Sequence, residues 1–319
     1  MITSVLLVIL GFACLIFGGN WLVNGASALA KRNNISDLVI GLTIVSFGTS
    51  APELVVNSLA SFNGHSDIVF GNIVGSNNFN LFIILGISGL IYPITVQAST
   101  ARREIPISLI ITVLLLLLAN EFFIDKDTMI SRIDGVILLA FFAFFLYYVF
   151  MQQKVDKAEV ITYHHKQMSN IKIWGLIILG ILGLMLGGKL VVDNSVEIAT
   201  ELGVSQKIIG LTIVALGTSL PELVTSVIAA IKKNSDIAIG NVIGSNIFNI
   251  LLILGISALV NPINFSLEFN QDIYILIGGT VFLILAMFMG KRRKLDRWEA
   301  LILLLFYLAY TSYLVSMEL

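Results

Sequence analysis

Residues 37–94 read DLVIGLTIVSFGTSAPELVVNSLASFNGHSDIVFGNIVGSNNFNLFIILGISGLIYPI, and residues 206–263 read QKIIGLTIVALGTSLPELVTSVIAAIKKNSDIAIGNVIGSNIFNILLILGISALVNPI. At an offset of 169 the two stretches align without a gap, and 32 of the 58 pairs are identical. The matches are not generic apolar sequence. They include Gly48-Thr49-Ser50 with Gly217-Thr218-Ser219, Pro52-Glu53 with Pro221-Glu222, and Gly71-Asn72 with Gly240-Asn241. They continue through Gly75-Ser76-Asn77 and Asn80, which match Gly244-Ser245-Asn246 and Asn249. Weaker similarity extends upstream, where Gly18-Gly19 meets Gly187-Gly188. The chain is an internal duplication, and the polar part is what is duplicated.

Around these copies the sequence is strongly apolar. Of 319 residues, 57% are hydrophobic and only 12% charged, with mean hydropathy +0.95. A soluble domain carries about 25% charge to wet its surface, so a soluble enzyme or nucleic-acid binder is excluded. Net charge −1 and a pI near 6.3 give no basic field for phosphate backbones. One cysteine, Cys14, excludes a disulfide framework and a Cys-based zinc site. The three histidines fall in polar connecting stretches. What remains is an all-α polytopic membrane protein.

Apolar runs broken by short polar stretches predict ten helices, each near the ~20 residues that cross a ~30 Å hydrocarbon core. They are placed at 4–30, 37–61, 67–92, 104–120 and 134–150, then 173–199, 206–231, 236–260, 272–290 and 298–316. No basic leader precedes the first apolar run, which reads as a retained span rather than a cleaved signal. With the N-terminus outside, the inner loops hold fifteen Lys and Arg and the outer loops three (Lys126, Arg132 and Lys207). That bias places both termini outside the cytoplasm. The chain divides into a first five-helix repeat at 1–150, a cytoplasmic linker at 151–172 and a second repeat at 173–319. Five spans is an odd number, so the copies are expected in opposite orientation across the membrane. Inverted repeats with interrupted helices at matching positions point to a secondary transporter with its site near the midplane.

The repeated motifs carry the chemistry. Ser46, Ser50, Glu53 and Asn57 share one face of the second span, as do Ala215, Ser219, Glu222 and Ser226 of the seventh. A charged side chain at that depth costs about 2.5–3.5 kcal/mol on insertion scales, so an intramembrane acid is a functional candidate by default. Pro52 and Pro221 have no N–H, which releases the Gly48 and Gly217 carbonyls and loosens those of Thr49 and Thr218. Oxygens freed inside a membrane must face protein, water or an ion. Asn72, Ser76 and Asn80 form a polar stripe at i, i+4, i+8, repeated by Asn241, Ser245 and Asn249. The glycines beside them, Gly71, Gly75, Gly240 and Gly244, have the small-residue spacing of closely approaching helices.

Between residues 38 and 95 there is no Lys or Arg, and the second motif has only Lys232 and Lys233, in a loop. Glu53 and Glu222 therefore lack a resident counter-ion. Two close carboxylates in a low-dielectric site cannot both stay ionised without a cation between them. The missing positive charge must be mobile, a metal ion or protons. The available donors are all hard oxygens, which disfavours zinc, copper and nickel. Calcium accepts six to eight such oxygens in flexible geometry, whereas magnesium demands a stricter octahedron. Calcium exchanging with sodium suits the donor set best, though chemistry alone leaves proton coupling open.

The two motifs resemble the alpha repeats of the calcium:cation antiporter superfamily. Gly48-Thr49-Ser50-Ala51-Pro52-Glu53 with Gly75-Ser76-Asn77-Asn78-Phe79-Asn80 resembles the first repeat of sodium/calcium exchangers. Gly217-Thr218-Ser219-Leu220-Pro221-Glu222 with Gly244-Ser245-Asn246-Ile247-Phe248-Asn249 resembles the second. Length and the short central loop are closest to prokaryotic members, without the large cytoplasmic regulatory domain of animal exchangers. The resemblance implies a diamond of four cation sites. Glu53 and Glu222 would ligate calcium with the Thr49 and Thr218 carbonyls. Ser50, Ser76 and the Ser46 carbonyl would serve one sodium site, and Ser219, Ser245 and the Ala215 carbonyl the other. Asn80 and Asn249 would complete the middle, and spans one and six would slide against the rest. Some archaeal and potassium-dependent members carry Asp where this chain has Asn249, so the resemblance disfavours potassium co-transport. Gly-Thr-Ser before each acid, rather than the Gly-Asn of proton/calcium members, favours sodium coupling.

Other polar groups are weaker candidates. Lys189, Asp193 and Glu197 share a face of span six and read as a structural group near the outer interface. Asn20 and Asn24, their counterparts in span one, read as packing residues. Asp125, Asp127 and the linker pair His164-His165 read as solvated. A cation channel is disfavoured by the inverted duplication, and a serine hydrolase by the lack of a His or Lys in the motifs to activate Ser50 or Ser219. No phosphate-cradling Gly-rich loop with Lys implies ATP or another cofactor. The expected partners are Ca2+, Na+ and the lipid bilayer of the plasma membrane, and a monomer suffices.

Overall fold

The computed structural model describes residues 2–97, 100–120, 128–152, 168–202, 215–288 and 293–318. The first half contains α1 (Ile2–Asn33), the pair α2 (Asp37–Thr49) and α3 (Ala51–Phe62), α4 (Ser66–Ile91), α5 (Ile105–Ala119) and α6 (Arg132–Gln152). The second contains α7 (Asn170–Glu201), one turn at Ala215–Gly217, α8 (Leu220–Ile231), α9 (Ser235–Val260), α10 (Phe269–Phe288) and α11 (Arg297–Glu318). Among the described residues, six helices are long and apolar enough to cross a membrane, or seven if the bent pair α2–α3 is one span. Most of the expected linker, with His164 and His165, lies outside the described residues, as do Asp125, Asp127 and Lys207.

The duplication is visible in the fold. α3 starts at Ala51 and ends at Phe62, and α8 starts and ends 169 residues later. Of the six long apolar helices described, α4 and α9 are the most enclosed, with 78% and 83% of their most apolar stretch inside the protein against 28% for α1 and 22% for α6. They form the centre, and the less buried helices meet lipid. Two short strand pairs stitch the halves crosswise. β1 (Ile94–Thr95) pairs antiparallel with β4 (Lys294–Leu295), and β2 (Met129–Ile130) with β3 (Ile263–Asn264).

α1 and α7 each run 32 residues, about 48 Å at 1.5 Å per residue. That exceeds the hydrocarbon core, so each must tilt to span it. They lie against each other along a glycine seam. A Cβ on Gly18 would come within 2.8 Å of Leu184 N, and one on Gly180 within 2.6 Å of Leu22 N. Backbones this close tolerate only glycine, the small-residue packing of membrane helices.

Local sequence explains the breaks. Ser36 caps α2 by accepting from Val39 N at 3.3 Å. Pro52 sits in the first turn of α3, where its missing N–H costs no helical bond. The chain therefore bends by 49° between α2 and α3. Pro221 likewise sits in the first turn of α8. Each proline opens a half-helix, so the expected kink is a full interruption at Ser50 and at Thr218–Ser219.

Candidate cation-binding site

The interruptions place Glu53 and Glu222 in the first turns of α3 and α8. There the unpaired N–H groups and the helix dipole favour negative charge. Both acids are 1% exposed. Among the described residues the charged neighbour of Glu53 is Glu222, not a lysine or arginine. Glu53 and Glu222 thus occupy matching places in the two halves.

The groups around them cross between the halves. Ser50 Oγ donates to Glu222 Oε1 at 2.8 Å and lies 3.0 Å from Ser245 Oγ. Ser219 Oγ lies 3.0 Å from Ser76 Oγ, and Ser219 and Thr218 bond to Glu53. This corrects one expectation. The resemblance grouped Ser50 with Ser76 and Ser219 with Ser245, within each half, whereas the structure brings together Ser50 with Ser245 and Ser219 with Ser76. The physical reason is the interdigitation of the halves: α9 packs against α2, so the hydroxyl facing Ser50 comes from the opposite repeat.

The polar stripes on α4 and α9 divide their work. Asn72 Nδ2 donates to Thr218 Oγ1 at 3.1 Å, and its Oδ1 accepts from Asn57 Nδ2 at 2.7 Å. On the other side Thr49 Oγ1 is 3.1 Å from Asn241 Oδ1, whose Nδ2 donates to Ser226 at 2.9 Å. Asn72 and Asn241 thus brace the interrupted segments. Asn80 and Asn249 do not brace anything with their carbonyls. Asn80 Oδ1 and Asn249 Oδ1, with Glu53 Oε2, Glu222 Oε2 and Asn57 Oδ1, are buried without a hydrogen-bond donor among the described residues. Buried oxygens normally find a donor. Oxygens free of donors are the ligand type a hard cation takes.

The Ser46 hydroxyl turns away to Gly41 O at 2.7 Å, and the Ser46 carbonyl already accepts from Ser50 N at 2.9 Å. The backbone of Ala215 begins the turn ahead of Thr218. The glycines also divide. A Cβ on Gly240 would meet Leu38 O at 3.0 Å, the expected close approach, while a Cβ on Gly75 would meet no described atom of another element within 4 Å. Gly48 and Gly217 serve packing as well as bending, because a side chain there would strike Ile181 or Val192 of α7.

Two features escaped the sequence reading. Wide π turns at Phe79–Ile84 and Asn249–Ile253 interrupt α4 and α9 beside the site amides. Such bulges recur at functional sites, but no residue preference announces them. The other is the pair Asn77 and Asn246, whose side chains bond the site amides. Their match at the 169-residue offset was the available signal. Outside the site, Lys189 and Asp193 form a loose exposed pair at 4.0 Å, which contributes little. Asn24 Oδ1 accepts from Lys232 Nζ at 2.8 Å, so it does more than pack.

Comparison with known proteins now decides the family. The family model described as "Sodium/calcium exchanger protein" matches residues 3–151 and 172–316. The chain belongs to the sodium/calcium exchanger family. Curated relatives of this exchanger include the sodium/calcium exchanger MaX1 of Methanosarcina acetivorans, 35% identical over 97% of this chain and 98% of that protein. The putative antiporter CaxA of Alkalimonas amylolytica is 36% identical over 99% of this chain and 100% of its own length. Among solved structures, the sodium-calcium exchanger NCX_Mj soaked with Na+ and Ca2+ superposes with TM-score 0.84 at 30% identity, covering 98% of both chains.

Proposed function

We propose that this exchanger is a secondary antiporter that moves Ca2+ against Na+ by alternating access. The observation that carries the reading is the pair of buried acids with unpaired oxygens and, among the described residues, no lysine or arginine beside them. An isolated buried charge costs several kcal/mol, so the apparent deficit is met by passing ions. Ca2+ would sit between Glu53 and Glu222. The crosswise hydroxyl sets, Ser50 with Ser245 and Ser219 with Ser76, would flank it as sodium sites together with the Ser46 and Ala215 carbonyls. Thr49, Thr218, Asn80 and Asn249 would complete the coordination. In this reading Ser50 and Ser219 are ligands and not nucleophiles.

The proposal includes the architecture. The chain would cross the membrane ten times, as two five-helix repeats in inverted orientation. Six apolar helices and the bent α2–α3 pair supply seven spans. α5, α11 and α8 with the turn at Ala215–Gly217 would supply the other three. With fifteen Lys and Arg on one side of the membrane against three, both termini would lie outside the cytoplasm, in the plasma membrane. No oligomer is needed, since both halves of the site come from one chain.

Membrane vesicles loaded with sodium test the reading. Calcium uptake is expected when sodium runs outward and is expected to ignore an imposed proton gradient. Uptake driven by protons with no sodium present would reject sodium coupling, and no calcium uptake under either gradient would reject the exchange reading.

A further inference from the structure

We propose that Asn77 and Asn246 are positioning residues that set the polarity of the two site amides, each acting on the amide of the opposite half. This rests on the cation-exchange reading and adds to it a device for keeping N–H groups away from the ions. The four amides Asn77, Asn80, Asn246 and Asn249 are all at most 3% exposed, on the two central helices.

An asparagine side chain is nearly symmetric in shape, and only its hydrogen bonds decide which end is oxygen. Here the decision starts at the backbone. Asn77 Nδ2 donates to Asn246 O at 3.3 Å, and Asn246 Nδ2 donates to Asn77 O at 3.2 Å. A backbone carbonyl can only accept, so the NH2 ends of both residues are fixed. Their oxygens must then point the other way. Asn246 Oδ1 accepts from Asn80 Nδ2 at 3.0 Å, and Asn77 Oδ1 accepts from Asn249 Nδ2 at 3.0 Å. Those bonds hold the NH2 groups of Asn80 and Asn249 off the site. What is left over is one carbonyl oxygen on each, Asn80 Oδ1 and Asn249 Oδ1, and both are buried without a donor. The ring of four amides satisfies itself except for the two acceptors a cation would use. Were either site amide to rotate, it would present N–H to a positive ion and lose its own acceptor.

The arrangement is crosswise, and the test uses that. In the calcium-uptake assay, Asn246→Leu is expected to raise the calcium KM about tenfold, the loss of one hydrogen bond's control over an ion-facing dipole. Because Asn246 acts through Asn80, the increase is expected to vanish in an Asn80→Ala background and to persist in an Asn249→Ala background. Asn77→Leu is expected to do the reverse, coupled to Asn249 and independent of Asn80. A residue that merely packs the central helices would show equal, additive effects in both backgrounds. Asn246→Ser and Asn77→Ser, which keep a polar side chain but cannot span the ring, serve the same cycles if the leucine variants do not insert. Equal effects in both backgrounds, or an unchanged KM, would overturn the assignment while leaving exchange by the unaltered chain standing. No calcium uptake by the unaltered chain would instead overturn the exchange reading and this inference with it.

Discussion

α3 and α8 are copies of one segment, yet they are covered differently. Ile228 of α8 is 8% exposed, while its counterpart Leu59 of α3 is 58% exposed. α1 provides the cover: a Cβ on Gly19 would meet Ile228 Cδ1 at 2.8 Å and Val224 Cγ1 at 3.2 Å. On the other side a Cβ on the matching glycine of α7, Gly188, would come no nearer than 3.8 Å to another element, at the Pro221 ring, and α7 leaves Leu59 and Val55 uncovered. Beyond α8, Lys232 reaches α1 at Asn24, and Asn234 reaches Ser27 at 3.1 Å and Asp37 at 2.8 Å. Two related segments, identical at five of their twelve aligned positions, thus occupy two environments in one chain. The pattern the two segments share does not by itself set how much of each is covered. Were α1 and α7 to slide against the rest as access alternates, each half would be expected to visit both environments.

The largest test of that comparison is to lock it. In a Cys14→Ala background, Gly19→Cys with Ile228→Cys is expected to form a disulfide readily and to arrest calcium uptake, with recovery on reduction. Uptake that continues with the bond closed would show that α1 never leaves α8. The mirrored pair, Leu59→Cys with Gly188→Cys, is expected to cross-link under turnover conditions, again halting exchange. If it forms under no ion condition, the two coverings do not interchange.

Smaller effects sharpen the same contrast. Ile228→Ala removes a packed side chain and is expected to lower thermal stability, by about 1 kcal/mol or more. Leu59→Ala is expected to stay within about 0.5 kcal/mol, as for other substitutions at exposed positions. Equal losses would mean that Leu59 is as well packed as Ile228. Lys232→Gln shortens the reach to Asn24 and is expected to alter the exchange rate by no more than about fivefold, consistent with the modest worth of an exposed charged contact. A complete loss of exchange in that variant would move Lys232 into the transport machinery.

Much of this was readable from residues. Apolar length marked helices, and the repeated prolines marked the breaks that became the half-helices α3 and α8. The absence of basic residues around Glu53 and Glu222 anticipated their isolation. What stayed hidden depended on how the halves interlock. Ser50 meets Ser245 and not Ser76 because α9 inserts beside α2, and pattern within one half carries no trace of that. Asn77 and Asn246 look like any motif asparagine until their backbone anchors are seen. The unequal cover of Leu59 and Ile228 could not be read at all, since both copies present an apolar residue at that place.

The central claim is that two enclosed carboxylates are balanced only by the ions they carry. Glu53→Gln and Glu222→Gln keep size and remove charge, so calcium uptake into sodium-loaded vesicles by each variant is the direct measurement. Both proteins are expected to insert and elute as the unaltered chain does, with uptake reduced at least about a hundredfold. Near-normal uptake by either variant would contradict the account.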